Sequence, residues 1–259
     1  MKVTTSESGA KNRAVSVTNR LNTLLLFLPL WWSAASAADA PVYTYRILDT
    51  RAHNTSYFTQ GLIADGNWIY ESAGKYGHSR IVRYHKLTGQ VDSEFKLPLQ
   101  VFAEGLTKFR DHLYLLTWRA GLMLVFTPRE LQPLHKVRYR GEGWGLTHDG
   151  ERLIMSDGSE HLYFRDARDL SIRRTITVHD GKNEPADGKV VGVVDLKLLS
   201  QRSTKADPDN VLNGIAYDAE KRAFWITGKN WPKRYLVEFK ATEKRKNLKL
   251  DKISAVTSQ

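Results

Sequence analysis

Three polar residues stand next to aromatic ones in settings that could serve chemistry. They are Gln60 in Phe58-Thr-Gln-Gly-Leu62, Glu104 in Phe102-Ala-Glu-Gly-Leu106, and Lys229 in Thr227-Gly-Lys-Asn-Trp-Pro-Lys233. A carboxylate desolvated among aromatic rings gains proton affinity, which suits a proton shuttle. A lysine can in principle hold developing negative charge, and Trp118 and Trp144, in different repeats beyond inner strands, fit a shared mouth. Each residue also has a plainer reading: Glu104 satisfied by backbone amides, Gln60 as a turn residue, Lys229 as a surface lysine before a Trp-Pro turn, and the tryptophans as core. Spacing alone favours the plainer readings.

Much other chemistry is excluded or unsupported. The chain has no cysteine, so disulfides, thiolate nucleophiles, iron–sulfur clusters and the common structural zinc sites are out. Its eight histidines form no HxH or HxxxH pair, and no metal site is expected. Asp149-Gly150 and Asp157-Gly158 are turn signals before they are calcium ligands. Gly141-Glu-Gly143 lacks the Lys-Ser/Thr of a phosphate loop, and there is no Gly-x-Ser-x-Gly elbow.

The elements that would position these residues form a repeat. Four segments open alike: Phe58-Thr-Gln-Gly-Leu62, Phe102-Ala-Glu-Gly-Leu106, Gly141-Glu-Gly-Trp-Gly-Leu146 and Leu212-Asn-Gly-Ile215. Each leads through a polar turn to an apolar strand and then to a third, alternating strand. Strand–turn–strand units at a period of about 40–45 residues read as β-propeller blades. Gly61 to Gly105 is 44 residues and Gly105 to Gly145 is 40, but Gly145 to Gly214 is 69, too long for one blade and too short for two. Between them Thr175-Ile-Thr-Val178 ends one unit, residues 179–186 read as a turn-rich joint, and Gly188-Lys-Val-Val-Gly-Val-Val-Asp-Leu196 reads as the outer strand closing another. The inner strands of one blade are missing.

Residues 1–37 read as an export signal: four basic side chains, an apolar run over 21–32, then Ala35-Ser36-Ala37 as a cleavage site. The run falls short of the roughly 20 apolar residues of a membrane span. An uncleaved anchor is the alternative; no stable span is expected after signal removal. The expected product is exported, periplasmic or secreted, with a propeller over 38–240 and a basic tail over 241–259. The net charge of +11 falls to +8 without the signal, and much of it lies in the tail. No aromatic-basic nucleic-acid motif accompanies it, so no nucleic-acid partner is expected.

From about residue 43 to about residue 239 the chain resembles the plant and bacterial glutaminyl-peptide cyclotransferases (glutaminyl cyclases), five-bladed β-propellers unrelated to the animal zinc enzymes. The resemblance is carried by the segments at Phe58, Phe102 and Leu212, together with Tyr70-Glu-Ser-Ala-Gly-Lys-Tyr-Gly77, Thr117-Trp118, Gly143-Trp-Gly-Leu146, Ser156-Asp-Gly-Ser159 and the Lys229 segment, all in the family's order. It implies an all-β propeller of four full blades plus a remnant, acting on peptides or proteins with N-terminal Gln, monomeric and without cofactor or metal. It implies Glu104 as acid/base, Lys229 as oxyanion donor, Gln60 as a grip on substrate, and Phe58, Phe102, Trp118 and Trp144 as the box, with Trp231 carried only weakly. The departure is the missing blade, which in the family supplies an oxyanion-holding Asn and a pocket-closing Trp. A lost oxyanion donor costs about 3 kcal/mol of transition-state stabilisation. A collapsed four-bladed ring, an open ring with a gap, or an unstable product could follow. A peptide-binding propeller without turnover is the main alternative, and a sugar-binding propeller a weaker one.

Overall fold

The computed structural model describes residues 41–178, 192–203 and 208–241. The expected export signal, the joint at 179–186 and the tail beyond residue 241 lie outside the described residues. In chain order, β1 (Val42–Ala52) precedes three four-stranded meanders. These are β2 (Thr59–Asp65) to β5 (Val91–Lys96) with β3 (Trp68–Ala73) and β4 (Arg80–His85); β6 (Ala103–Phe109) to β9 (Pro133–Arg138) with β7 (His112–Thr117) and β8 (Leu122–Phe126); and β10 (Leu146–His148) to β13 (Ile172–Thr177) with β11 (Leu153–Ser156) and β12 (His161–Arg165). Then follow β14 (Val193–Val194), helix α1 (Lys197–Ser203), β15 (Leu212–Asp218), β16 (Ala223–Gly228) and β17 (Lys233–Ala241).

Each meander is one antiparallel sheet, and the fourth sheet runs β14-β1-β17-β16-β15. The all-β propeller expectation therefore holds, with four blades, and the first strand of the domain completes the last blade by pairing along β17. Of the apolar run 188–196, read as the outer strand closing another blade, residues 188–191 lie outside the described residues, while Val193 and Val194 pair parallel with β1 at the rim of the fourth sheet. A helix follows, which alternation in the sequence did not announce.

Apolar side chains fill the spaces between consecutive blades. Ile69, Val82 and Tyr84 of the first blade meet Trp225 and Leu236 of the fourth. Ile81 and Tyr70 meet Leu106, Leu115 and Phe126 of the second, whose Leu116 and Val125 meet Leu153 and Met155 of the third. Each such side chain taken fully from water contributes about 1.5–3 kcal/mol.

The recurring glycine of the sequence repeat has a physical cause. A Cβ on Gly61 would lie 2.6 Å from Leu106 N of the next inner strand, and one on Gly214 would lie 2.9 Å from a Thr59 methyl. On Gly105 it would fall 2.5 Å from Leu146 N. Gly145 is the exception: its only neighbour would be Ser156 Oγ, within its own blade. Inner strands β15, β2, β6 and β10 thus pack in succession, and among the described residues no comparable packing joins β10 to β15. Among the described residues the ring has a break there. On one side of the break α1 covers the fourth blade, Leu199 packing with Ile226, Tyr235 and Val237. On the other, the Arg152 and Arg174 guanidinium groups each lie 5.6 Å over the Phe164 ring, the usual geometry of a cation–π contact.

Candidate active site

Phe58, Gln60, Phe102, Glu104 and Trp144 occupy equivalent places at the start of the inner strands, whereas Trp118 and Lys229 follow the second strands β7 and β16. In register, the four segments read Phe58-Thr-Gln60-Gly61, Phe102-Ala-Glu104-Gly105, Glu142-Gly-Trp144-Gly145 and Val211-Leu-Asn213-Gly214. Pairing slips by a residue between Thr59 and Gly61, Ala103 and Leu106, and Leu212 and Ile215. A bulge of this kind leaves a residue unpaired and re-aims its side chain, so Gln60, Glu104 and Asn213 escape the regular in–out alternation.

Glu104 is held by its backbone. Ser72 Oγ donates to its carbonyl at 2.6 Å, and the next amide, Gly105 N–H, donates to the Trp144 carbonyl at 2.7 Å. Among the described residues no hydrogen bond reaches its carboxylate. Burial without such bonds penalises the charged form; the Lys229 ammonium opposes this and the Glu142 carboxylate adds to it, leaving the Glu104 pKa raised to about 8.

Aromatic rings form a wall beside Glu104. Phe102 makes edge contacts with Phe58 (centroids 6.4 Å), Trp118 (5.5 Å) and Tyr76 (5.4 Å). Glu142 Oε2 accepts from the Trp118 indole at 2.7 Å and the Trp144 indole at 3.0 Å, while its Oε1 accepts from Arg119 Nε at 2.9 Å. These hydrogen bonds, that from Trp144 foremost, hold the Glu142 pKa below the usual range.

Lys229 is buried at 5% exposure, its Nζ 4.7 Å from the Phe58 centroid. Burial lowers its pKa, against the opposing pull of Glu104 and Asp209. The turn carrying it is anchored to the first blade. Asn230 N–H donates to Tyr57 O at 2.8 Å, and His53 N–H to Pro232 O at 2.9 Å. The His53 ring faces acceptors on both sides, the Trp231 carbonyl 2.7 Å from Nδ1 and the Glu71 carboxylate 3.0 Å from Nε2. Both contacts can be donated only by the protonated ring, so this setting favours the imidazolium. Burial pulls the His53 pKa down, but Glu71 and the Trp231 carbonyl outweigh it and the net shift is upward. Thr59 and Tyr84 hydroxyls complete the Glu71 shell at 2.6 and 2.8 Å.

Phe58, Phe102, Glu104, Trp118 and Lys229 thus come together, and Trp144 joins them through Glu142. Gln60 is directed differently: its Oε1 accepts from Asn213 Nδ2 at 2.6 Å, and both residues line a central cavity of ≈ 380 Å³. Trp231 is core, fully buried with its indole donating to Asn210 O at 2.8 Å. Glu142, Asn213, Tyr76 and the His53–Glu71 pair were not among the residues singled out. Register with Phe58 and Phe102 was the signal that could have found Glu142.

The chain matches the sequence profile described as Glutamine cyclotransferase over residues 23–186 and 181–239. The two stretches meet at 181–186, inside the long Gly145–Gly214 interval. It is 30% identical over 254 residues to a glutaminyl-peptide cyclotransferase of Arabidopsis thaliana, covering 83% of this chain and 79% of that one. The crystal structure of Myxococcus xanthus glutaminyl cyclase superposes with a TM-score of 0.71 at 27% identity, covering 79% of this chain and all of that one.

Proposed function

The chain belongs to the glutamine cyclotransferase family, and on that footing we propose that it converts N-terminal glutamine of peptides or proteins to pyroglutamate with release of ammonia. The reaction is an intramolecular acyl transfer. The α-amine attacks the side-chain amide carbon, the carbonyl oxygen takes up negative charge, and the C–N bond to the leaving nitrogen then breaks. Glu104 takes a proton from the attacking amine and returns it to the departing nitrogen. A carboxylate whose pKa lies near 8 can do both close to neutral pH.

Lys229 supplies the charge that stabilises the oxyanion. Phe58, Phe102, Trp118 and Trp144 hold the bent side chain in a water-poor box, and Gln60, paired with Asn213, grips the backbone end of the substrate. No cofactor is required by this scheme. The observation that carries the reading is the Glu104 carboxylate, desolvated beside Phe102 and within the field of Lys229. Incubating the mature chain with a Gln-first peptide tests it: a product that has lost ammonia and no longer reacts with amine reagents, formed faster than spontaneously, is expected. Product at the spontaneous rate only would overturn it.

The break between β10 and β15 favours a second reading, a peptide-binding propeller with impaired turnover. Tight Gln-peptide binding without turnover would select it. We also take residues 1–37 as an export signal and the mature protein as a periplasmic or secreted monomer. N-terminal sequencing and sizing of the exported protein would test this, an uncleaved Met1 contradicting it.

A further inference from the structure

We propose that Glu142 is a positioning residue of this pocket, a single carboxylate that fixes the Trp118 and Trp144 indoles as one wall. The inference rests on the cyclase reading above for the reaction it serves. Position 142 is where the first two blades place Phe58 and Phe102, so the third blade substitutes an anion for a ring. That anion is shared: Oε2 accepts both indole N–H groups, at 2.7 and 3.0 Å. Bonds to an ionised acceptor are shorter and about twice as strong as neutral ones.

Two further contacts make the clamp directional. The Arg119 guanidinium binds Oε1 and lies 3.9 Å over the Trp118 ring, covering the indole that the carboxylate holds. Gly158 backs Trp144 so closely that a Cβ there would meet the indole at 2.8 Å. The two rings come from different strand ends, and Glu142 joins them across the gap. Trp118 follows β7 of the second blade and Trp144 precedes β10 of the third, against which no following blade packs among the described residues.

Glu142 also acts on Glu104 through space. The charged groups bearing on Glu104 are Lys229, which favours its ionisation, and Glu142, which opposes it; the Tyr139 phenol also lies within its field, and Arg119 tempers Glu142. Removing the Glu142 charge must ease Glu104 ionisation.

The test compares Glu142→Gln and Glu142→Asp with the wild-type full chain, reading tryptophan emission together with kcat and KM on a Gln-first peptide across the pH range around 8. Glu142→Gln is expected to shift the emission, to lower kcat/KM about 10- to 100-fold mainly through KM, and to move the acid limb of the rate profile to lower pH. Glu142→Asp keeps the charge but is too short to span both indoles. It should retain the wild-type acid limb while KM still rises, and it carries the test if the Gln variant does not fold. Wild-type emission and KM in either folded variant would overturn the clamp. An inactive wild type would overturn the cyclase reading instead, and the clamp would then be judged by emission and Gln-peptide affinity, unchanged values in Glu142→Gln refuting it.

Discussion

The Gly105 amide donates to the Trp144 carbonyl at 2.7 Å, tying the residue after Glu104 directly to a wall of the pocket. The bond exists because position 105 has no side chain: a Cβ would fall 2.5 Å from Leu146 N, a backbone atom that cannot swing aside. Gly105→Ala should therefore destabilise the protein by about 3 kcal/mol through overpacking, seen as a fall in Tm of about 2–4 °C for each kcal/mol. Gly145→Ala meets only the Ser156 hydroxyl and should lose about 1 kcal/mol or less. Equal losses in thermal melts would contradict an open ring, since a closed one would crowd Gly145 as it crowds Gly105.

The His53–Glu71 pair predicts a pH-windowed stability. The His53 pKa is raised when folded, so its contribution is complete below about pH 6.5 and is lost as pH rises through the folded value. Burial pushes the Glu71 pKa up, but His53 and three hydrogen bonds reverse this and leave it lowered. Its contribution is therefore present above about pH 4.3 and lost as pH falls through the folded value. His53→Gln should lower stability by about 3–5 kcal/mol, as expected when a buried charge loses its partner, with the widest gap from wild type between those limits. Because His53 holds the turn bearing Lys229, kcat should fall too. Melts and turnover at several pH values check both.

Glu104 carries the opposite sign. Its folded pKa of about 8 lies above the unfolded value of about 4.3, so the folded state keeps a proton that the unfolded state releases. Stability falls as pH climbs through that interval. Glu104→Gln should melt higher than wild type near pH 8, the difference shrinking on acidification and vanishing below about pH 4. A variant that melts at or below wild type throughout would remove desolvation as the cause of the shift.

Lys229→Met should lower kcat about 10²- to 10³-fold by removing one oxyanion donor, with a smaller change in KM. Since Lys229 lowers the Glu104 pKa, the acid limb of any residual rate should also move to higher pH. A pH–rate profile of the variant reads both effects.

Most of the fold was legible because its requirements are local. Close approach of the neighbouring backbone at Gly61 and Gly105, and of the Thr59 methyl together with a positive φ at Gly214, is met by glycine, so the repeat had to be written in the sequence. The pairing of residues 42–52 with 233–241 was not legible, because partners so distant in the chain leave no local pattern. Val193 and Val194 have the composition of a strand but nothing that specifies a parallel rim. In the site, Glu104, Lys229 and the rings could be found by resemblance. Glu142 was not legible as a site residue: Gly141-Glu-Gly143 reads as the opening of a repeat and fails as a phosphate loop, and what matters there is its register with Phe58 and Phe102. Trp231 misled for the converse reason: it neighbours Lys229 in sequence but packs with Leu199 and Tyr235.

The central claim is that Glu104 in this four-bladed ring moves the proton of glutamine cyclisation. The most direct measurement is steady-state ammonia release from a Gln-first peptide by wild type and Glu104→Gln, with folding verified for both. The account predicts catalysed release by wild type, rising with pH through about 8, and a loss of about 10²-fold or more in the variant. Equal rates in two folded proteins, whether fast or at the spontaneous level, would contradict it.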